Sequence, residues 1–164
     1  MKKIDTTVPE EIPIQNIMSK PIGISSQSTI LEAIHKLLTF KFSRLIIFDS
    51  NNPVGIITRK DILRFLFKEK LNKSIQEIPV SKIMNEIYYV DNSLSVIDAS
   101  KFMLEHRCSS VAIGSENDLQ GISTKTDLTQ FYSNEMIGKQ KVKNHMSLHY
   151  FSVSVKDSIY EVIK

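Results

Sequence analysis

The sequence predicts an α/β fold (α+β in some classification schemes), built from two β-α-β-β-α units that pack with pseudo-twofold symmetry. The first observation behind this prediction is an internal repeat without gaps. Ile12-Pro13 recurs as Ile78-Pro79, and the same offset of 66 residues carries Gly55-Ile56 onto Gly121-Ile122. The second observation is that both copies show the same order of strand-like and helix-like patterns. Chance does not keep one register over roughly fifty residues, so the chain contains a duplicated unit.

Each copy begins with a short extended stretch and a helix. The extended stretches are Ile22-Gly23-Ile24 and Tyr88-Tyr89-Val90. A hydroxyl followed three positions later by an acid, as in Thr29-Ile30-Leu31-Glu32 and Ser95-Val96-Ile97-Asp98, caps the free backbone donors of a helix start. After the first cap, residues recur at helical spacing and their apolar members predict one buried stripe: Ile30, Ile34, Leu37, Leu38 and Lys41.

Two strands follow the first helix of each copy. In the first copy they are residues 45–48 and 54–58, separated by the turn formers of residues 49–53. The second copy repeats them as residues 111–113 and 119–124. Apolar runs of this length without alternation predict strands that are buried on both faces.

A second helix closes each unit, over about residues 59–70 and 125–134. A unit of roughly sixty residues buries too little apolar surface to be stable alone, so the two copies are expected to stack and share a cleft. We therefore predict repeat 1 at residues 12–68 and repeat 2 at residues 78–133, with residues 1–11 as an N-terminal extension.

Residues 140–164 predict the truncated start of a third copy. The run Val142-Lys143-Asn144-His145-Met146 resembles residues 80–84, and residues 158–162 resemble residues 95–99. The similarity stops inside the expected first helix, which favours a piece of a longer array. The alternative is a natural tail that packs on the pair.

Composition and charge limit the function classes. The chain has 164 residues, 41% hydrophobic and 24% charged, as in ordinary soluble globular proteins. A net charge of +3 is too weak to indicate nucleic acid, and the basic stretch 59–73 is typical of a solvated helix face. The lone Cys108 excludes an internal disulfide, and a small residue at a helix end is favoured there over an activated thiolate. Without a signal peptide or a membrane-spanning run, we expect a cytoplasmic protein with no membrane partner.

The sequence offers no constellation for catalysis or metal binding. His145 and His149 are four residues apart, but their segment aligns with an extended stretch, where this spacing does not place two ligands on one face. No nucleophile motif, Cys/His pair or phosphate-binding glycine loop is visible. We expect no enzyme activity, no metal and no required cofactor.

The most informative motif is Gly55-Ile56-Ile57-Thr58-Arg59-Lys60-Asp61, which returns as residues 121–127. It predicts a strand that runs directly into a helix. Thr58 and Asp61 can form a second capping box, which is a purely structural role. Free N–H groups at a helix start also attract phosphate, and a carboxylate can accept hydrogen bonds from ribose hydroxyls. Both interpretations remain open from the residues alone.

The whole arrangement resembles the CBS (cystathionine-β-synthase-type) repeat family, whose paired repeats are also called Bateman modules. The matching pieces are Ile17-Met18-Ser19, Ile83-Met84-Asn85, residues 43–49 and the two Gly-Ile-x-Thr-x-x-Asp motifs. Ile46 and Ala112 depart from the family, which often has proline at that position. The resemblance implies a regulatory module that binds AMP, ADP, ATP or S-adenosylmethionine.

The resemblance also implies two sites, each combining the motif of one repeat with the extended segment and strand start of the other. The first site would contain Lys20, Pro21, Ile22, Phe42, Ser43, Arg44, Gly121, Thr124, Thr126 and Asp127. The second would contain Gly55, Thr58, Lys60, Asp61, Glu86, Ile87, Tyr88, Cys108, Ser109 and Ser110. The first site is the better candidate, because its Arg44 and Lys20 are replaced by Ser110 and Glu86 in the second. Arg44 as a surface cation at a helix end is the competing interpretation.

Three functions follow as expectations. The leading one is a non-catalytic sensor of adenine nucleotide, forming a homodimer through its repeats and acting on a partner protein that the sequence does not identify. The alternative is a ligand-independent dimerisation and assembly module. Nucleic-acid binding through the basic stretch 59–73 is the least favoured.

Overall fold

The computed structural model describes residues 12–68, 75–135, 141–158 and 162. The first repeat consists of β1 (Gly23–Ser25), α1 (Ile30–Thr39), β2 (Arg44–Asp49), β3 (Asn52–Thr58) and α2 (Arg59–Lys68). The second repeat consists of β4 (Tyr89–Val90), α3 (Val96–Glu105), β5 (Ser110–Ser115), β6 (Asp118–Thr124) and α4 (Lys125–Glu135). The predicted mixed fold of two β-α-β-β-α units is confirmed. Both strands of each hairpin and the first helix recur at the offset of the sequence repeat.

Each repeat forms its own three-stranded sheet. In the first sheet β2 lies in the centre, parallel to β1 and antiparallel to β3. The second sheet has the same order, with β5 in the centre. The central strands bury Leu45-Ile46-Ile47 and Val111-Ala112-Ile113, as expected for strands covered on both faces.

The capping patterns of the sequence form as predicted. At the start of α1, Thr29 N–H donates to Glu32 Oε2 at 2.7 Å, and Glu32 N–H donates to Thr29 Oγ1 at 3.2 Å. At the start of α3, Asp98 N–H donates to Ser95 Oγ at 3.0 Å. These pairs satisfy helix donors that have no partner inside the helix.

The predicted stripe on the first helix is only partly correct. Ile30 and Leu37 are buried on α1, but Leu38 is 61% exposed. Lys41 lies beyond the helix, in a left-handed backbone conformation with a φ of 57°. The helix therefore ends before the periodic pattern does.

The segments that precede the two sheets are exchanged between the repeats. We call residues 12–19 and 78–85 the first and second lead-in segments. The first runs along the second repeat, where Ile14 N–H donates to Leu94 O at 2.7 Å. The second runs along the first repeat, where Ile30 N–H donates to Ile78 O at 2.9 Å. Each repeat is thus completed by the lead-in segment that precedes the sheet of the other repeat.

Burial follows the same exchange. Ile14 is fully buried in the core of the second repeat, against Val96, while Val80 is fully buried in the core of the first. Removing such a side chain from water contributes roughly 1.5–3 kcal/mol. The two repeats therefore stabilise each other, although each has its own sheet and its own core cluster.

Residues 141–158 resemble the lead-in segments in local shape only. The short 3-10 helix Val142–Asn144 corresponds to Val80–Lys82 of the second lead-in segment. Val142 is 80% exposed, whereas Val80 is fully buried. The third repeat stays a prediction. The N-terminal extension and the predicted end of the second helix lie outside the described residues.

Candidate functional site

A cavity of about 350 Å³ lies where the two repeats meet. Its walls come from the end of the first lead-in segment, the start of β2, and the junction of β6 with α4. The lining residues are Ser19, Lys20, Ile22, Lys41, Phe42, Ser43, Arg44, Ile46, Ile122, Thr124, Thr126 and Asp127. This volume is at the lower end of the range of small-molecule pockets.

One side of the cavity is the start of α4. Thr124 N–H donates to Asp127 Oδ2 at 2.8 Å, and Asp127 N–H donates to Thr124 Oγ1 at 3.2 Å. The predicted capping box is therefore present. No acceptor among the described residues takes the proton of the Thr124 hydroxyl. A ligand in the cavity can accept that proton, so the structural and the binding role are compatible.

Arg44 supplies positive charge to the cavity lining. It begins β2 and is half-buried. Its Nη1 donates to the backbone oxygen of Ser109 in the second repeat at 3.0 Å. Burial lowers the pKa of the Arg44 guanidinium from its ordinary value, and the charges of Asp127 and Asp61 oppose that shift. Arginine remains protonated in proteins, so Arg44 is a cation in the cavity lining, on which the charges of two carboxylates act.

The first lead-in segment reaches the cavity because glycine lies beneath it. Ser19 and Ile122 exchange two backbone hydrogen bonds, of 2.9 and 3.0 Å. A Cβ on Gly121 would lie 2.5 Å from the sulfur of Met18, so a larger residue would push the segment away. This close approach places Ser19 and Lys20 at the cavity wall.

The remaining wall is apolar. Ile46 and Ile122 are buried, and Ile22 and Phe42 are partly buried. Such a surface suits the flat, apolar faces of a purine or another aromatic ring. The cavity thus combines an apolar wall with three cations and one carboxylate: Lys20, Lys41, Arg44 and Asp127.

The structure brings eight of the ten residues of the first predicted site to this cavity. The two others, Pro21 and Gly121, are not among its lining residues, and Gly121 instead packs under Met18. That the eight residues bind a ligand stays a prediction. Four lining residues are not part of the predicted site: Ser19, Lys41, Ile46 and Ile122. The pairing of Ser19 with Ile122 is visible only in the folded structure, and the spacing of Lys41 places it in the helical pattern of the sequence.

The residues of the second predicted site are engaged differently. Thr58 Oγ1 donates to Asp61 Oδ2 at 2.5 Å, and Asp61 also faces Arg64, whose Nη1 is 3.7 Å from Oδ1. Ser109 accepts a hydrogen bond from Arg44. Lys60 is exposed at the start of α2, and Gly55 packs under Met84.

The aromatic and apolar residues of that second set also face other partners. Tyr88 packs against Phe102 and His106, at centroid distances of 6.0 and 5.3 Å. Glu86 and Ile87 line a separate cavity of about 380 Å³, which also touches Tyr89.

Ser110 begins β5, at the position that Arg44 has in β2, and Cys108 is half-buried just before it. Burial raises the pKa of the Cys108 thiol, which disfavours the thiolate. The interpretation of Cys108 as a packed small residue is therefore favoured over a reactive one.

The remaining features considered from the sequence are a metal site, the basic stretch and a membrane-spanning segment. Within the described residues there is no group of three or more histidine, cysteine or acidic side chains that could hold a metal ion. In the basic stretch, which the structure describes to residue 68, Arg59 donates to Leu37 O at 3.1 Å and Arg64 faces Asp61. Among the described residues, no helix has the length and apolar character needed to cross a bilayer.

Comparisons with known proteins agree with this architecture. A family model described as CBS domain matches residues 6–68 and 80–134. An uncharacterized protein of Methanocaldococcus jannaschii is 29% identical over 135 residues, which cover 74% of this chain and 32% of that protein. A CBS domain-containing protein of Arabidopsis thaliana is 33% identical over 82 residues, covering 48% of this chain and 15% of that protein. The chain thus spans about a third or less of these relatives, and neither match indicates a catalytic family.

Solved structures show the same fold. An uncharacterized conserved protein from Pyrococcus horikoshii is 26% identical with a TM-score of 0.69, covering 80% of this chain and 98% of that chain. A CBS domain pair in complex with 5′-methylthioadenosine and S-adenosyl-L-methionine is 24% identical with a TM-score of 0.65, covering 75% and 97%. A CBS domain protein from Pyrobaculum aerophilum complexed with AMP is 22% identical with a TM-score of 0.62, covering 71% and 89%.

Proposed function

The chain belongs to the CBS domain family, and from this premise we propose that it is a regulatory module that binds an adenine nucleotide between its two repeats. The observation that carries the proposal is the cavity that gathers Arg44, Thr124 and Asp127 from different repeats. We propose no catalytic role.

The chemistry of the cavity fits the three parts of a nucleotide. The start of α4 offers backbone N–H groups and the Thr124 hydroxyl to a phosphate. Asp127 can accept from ribose hydroxyls with the oxygen that does not cap the helix. The apolar wall around Ile46 and Ile122 can cover the base. Similar proteins whose structures contain AMP or S-adenosyl-L-methionine support the ligand class.

Regulation through such a ligand requires two states with different affinity. The cavity walls come from both repeats, and Arg44 already bridges them through its hydrogen bond to Ser109. A phosphate that attracts the Arg44 guanidinium competes with that bond. Ligand binding would therefore change how tightly the two repeats are joined near the cavity.

A thermal-shift measurement with AMP, ADP, ATP and S-adenosylmethionine tests the proposal. A ligand at about one hundred times its Kd stabilises the folded state by about 2.7 kcal/mol, which raises the Tm by about 5–10 °C. We expect Asp127→Ala to remove this shift. If no compound produces a saturable shift, the proposed function is wrong.

Asp127→Ala also removes a helix cap, so a matched control is needed. Asp98→Ala removes the carboxylate that accepts from Ser95 Oγ at 2.8 Å at the start of α3, outside the cavity lining. We expect this control to keep the full ligand shift. Asp61→Ala then reports on the second set of residues, because it lowers the response only if that set is occupied. Equal loss in the Asp127 and Asp98 variants would contradict a direct role for Asp127.

Assembly is a second candidate function, and two exposed leucines favour it. Leu38 on α1 and Leu104 on α3 are 61% and 69% exposed, and they occupy the same position of the repeat. A pair of apolar side chains related by the pseudo-twofold suits a symmetric contact with a second copy of the chain. Sedimentation should then show a dimer that Leu38→Lys with Leu104→Lys converts to a monomer. A monomer in the unaltered chain would exclude this function.

A further inference from the structure

We infer that the cavity selects anionic, phosphate-bearing adenine nucleotides over S-adenosylmethionine, and that Lys41 is a specificity-determining residue for the phosphate groups. The inference rests on the proposed function and narrows its ligand class. The cavity lining, the charge pattern and the backbone of Lys41 carry it.

The charged side chains that line the cavity have a net positive charge. Three cations line the cavity against one carboxylate, which already accepts a hydrogen bond from Thr124 N–H: Lys20, Lys41, Arg44 and Asp127. A phosphate monoester carries nearly two negative charges at neutral pH, and longer phosphate chains carry more. S-adenosylmethionine carries a sulfonium and an ammonium against a single carboxylate, so its net charge is positive, and it lacks phosphate. Its net positive charge is repelled by the surplus of cations in this cavity.

The repeat itself provides an internal comparison. At the positions that correspond to Lys20 and Arg44, the second set has Glu86 and Ser110. The surplus of positive charge is therefore a property of one cleft and not of the fold. Where two copies of the same backbone differ in sequence, the fold does not require the differing residues, so these residues can serve a ligand.

The backbone conformation of Lys41 is unusual for a lysine. It follows the end of α1 in the left-handed conformation, and its N–H donates to Leu38 O at 3.3 Å. Helices commonly end with glycine at such a position, because a side chain there is disfavoured. Lysine at this position projects a long cationic side chain from the turn that leads into Phe42, at the rim of the cavity.

Strained backbone alone does not indicate a ligand. Arg107 occupies the corresponding position after α3, with a φ of 51° and its own N–H donating to Leu104 O at 3.2 Å. Both turns would tolerate glycine equally well. Only Lys41 lines the cavity together with Lys20 and Arg44, so its charge has an effect there that Arg107 does not share.

Calorimetric titration of the unaltered chain tests the selectivity. We expect affinity to rise from AMP through ADP to ATP, with S-adenosylmethionine at least about tenfold weaker than AMP, as expected for charge-assisted contacts. S-adenosylmethionine binding as tightly as AMP would overturn the inference while leaving the proposed function intact. If none of the four compounds binds, the proposed function fails and the inference fails with it.

A pair of glycine variants tests Lys41 itself. Lys41→Gly and Arg107→Gly each relieve a left-handed side chain, so both should raise the Tm by about 2–4 °C. Only Lys41→Gly should weaken ATP, by about three- to tenfold, and the loss should shrink at high salt. Lys41→Arg keeps the charge and should retain ATP affinity. Unchanged ATP affinity in Lys41→Gly, or equal losses in the two glycine variants, would overturn the role of Lys41.

Discussion

Replacing Gly121 with alanine adds one methyl group under the first lead-in segment, against the side chain of Met18. The new Cβ would lie 2.5 Å from Sδ, 2.9 Å from Cγ and 3.1 Å from Cβ of Met18. The crowding therefore involves the whole side chain and not only its flexible end. Met18 cannot retreat freely, because the next residue, Ser19, is paired with Ile122 by two backbone hydrogen bonds.

Two effects of opposite sign decide the result. Alanine for glycine narrows the unfolded ensemble and ordinarily stabilises a protein by about 0.4–1 kcal/mol where the backbone permits it. Overpacking of this kind costs about 1–3 kcal/mol. We expect the clash to prevail, with a net loss of about 1–2 kcal/mol and a Tm lower by roughly 2–8 °C. Because the lead-in segment carries Lys20 to the cavity, nucleotide affinity should fall as well.

The effect of Gly121→Ala on stability should change sign once the Met18 side chain is shortened. In a Met18→Ala background, Gly121→Ala should be neutral or stabilising by about 0.4–1 kcal/mol, since only the effect on the unfolded chain remains. Urea unfolding of the four chains of this double-mutant cycle measures the difference. Gly55→Ala, which meets Met84 at 2.5 Å, is the matched control in the other repeat. An equal cost of Gly121→Ala with and without Met18 would refute the reasoning.

Three further predictions address the exchange of the lead-in segments, the helix cap at Thr29 and the thiol of Cys108. Ile14→Ala should lower the free energy of unfolding by about 2–5 kcal/mol. Hydrogen exchange should show lost protection first in residues 89–135, although Ile14 precedes the first sheet in the sequence. Loss confined to residues 23–68 would contradict the swapped packing of the lead-in segments. Thr29→Ala should cost about 1 kcal/mol in thermal unfolding, whereas Thr29→Ser should not. The raised pKa of Cys108 keeps its thiol protonated in the folded state, so alkylation should stay slow until the pH exceeds the ordinary thiol value of about 8.5. The contribution of the protonated thiol to the free energy of folding is complete below that value and is lost as the pH rises further. Fast alkylation at pH 7 would contradict the prediction that the thiol stays protonated.

Local signals in the sequence predict most of the architecture. The caps of Thr29 and Ser95 and the strand-helix junctions at Thr58 and Thr124 are short-range patterns, and the structure contains them where the sequence analysis expects them. The internal repeat additionally predicts that two similar units pack as a pair. Because side chains within a few positions of each other determine these features, one sequence suffices to predict them.

The exchange of the lead-in segments is not readable in that way. It depends on which sheet Ile14 and Val80 reach, and both sheets offer nearly the same apolar surface. Lys41 is absent from the predicted site for a related reason, since its spacing continues the helical pattern although the backbone turns away at residue 40. Periodicity records which side chains could share a face and does not record where a helix ends.

Arg44 explains why a duplicated backbone gives two unequal clefts. The charges of Asp127 from one motif and Asp61 from the other both act on its guanidinium, which donates a hydrogen bond to Ser109 O of the second repeat. One guanidinium cannot pair fully with a phosphate in each cleft at the same time, and Ser110 supplies no second cation at the equivalent position. A nucleotide that draws Arg44 into the first cleft therefore leaves the second with less positive charge. The backbone is duplicated but the cations are not, since Arg44 and Lys20 of the first set correspond to Ser110 and Glu86 in the second.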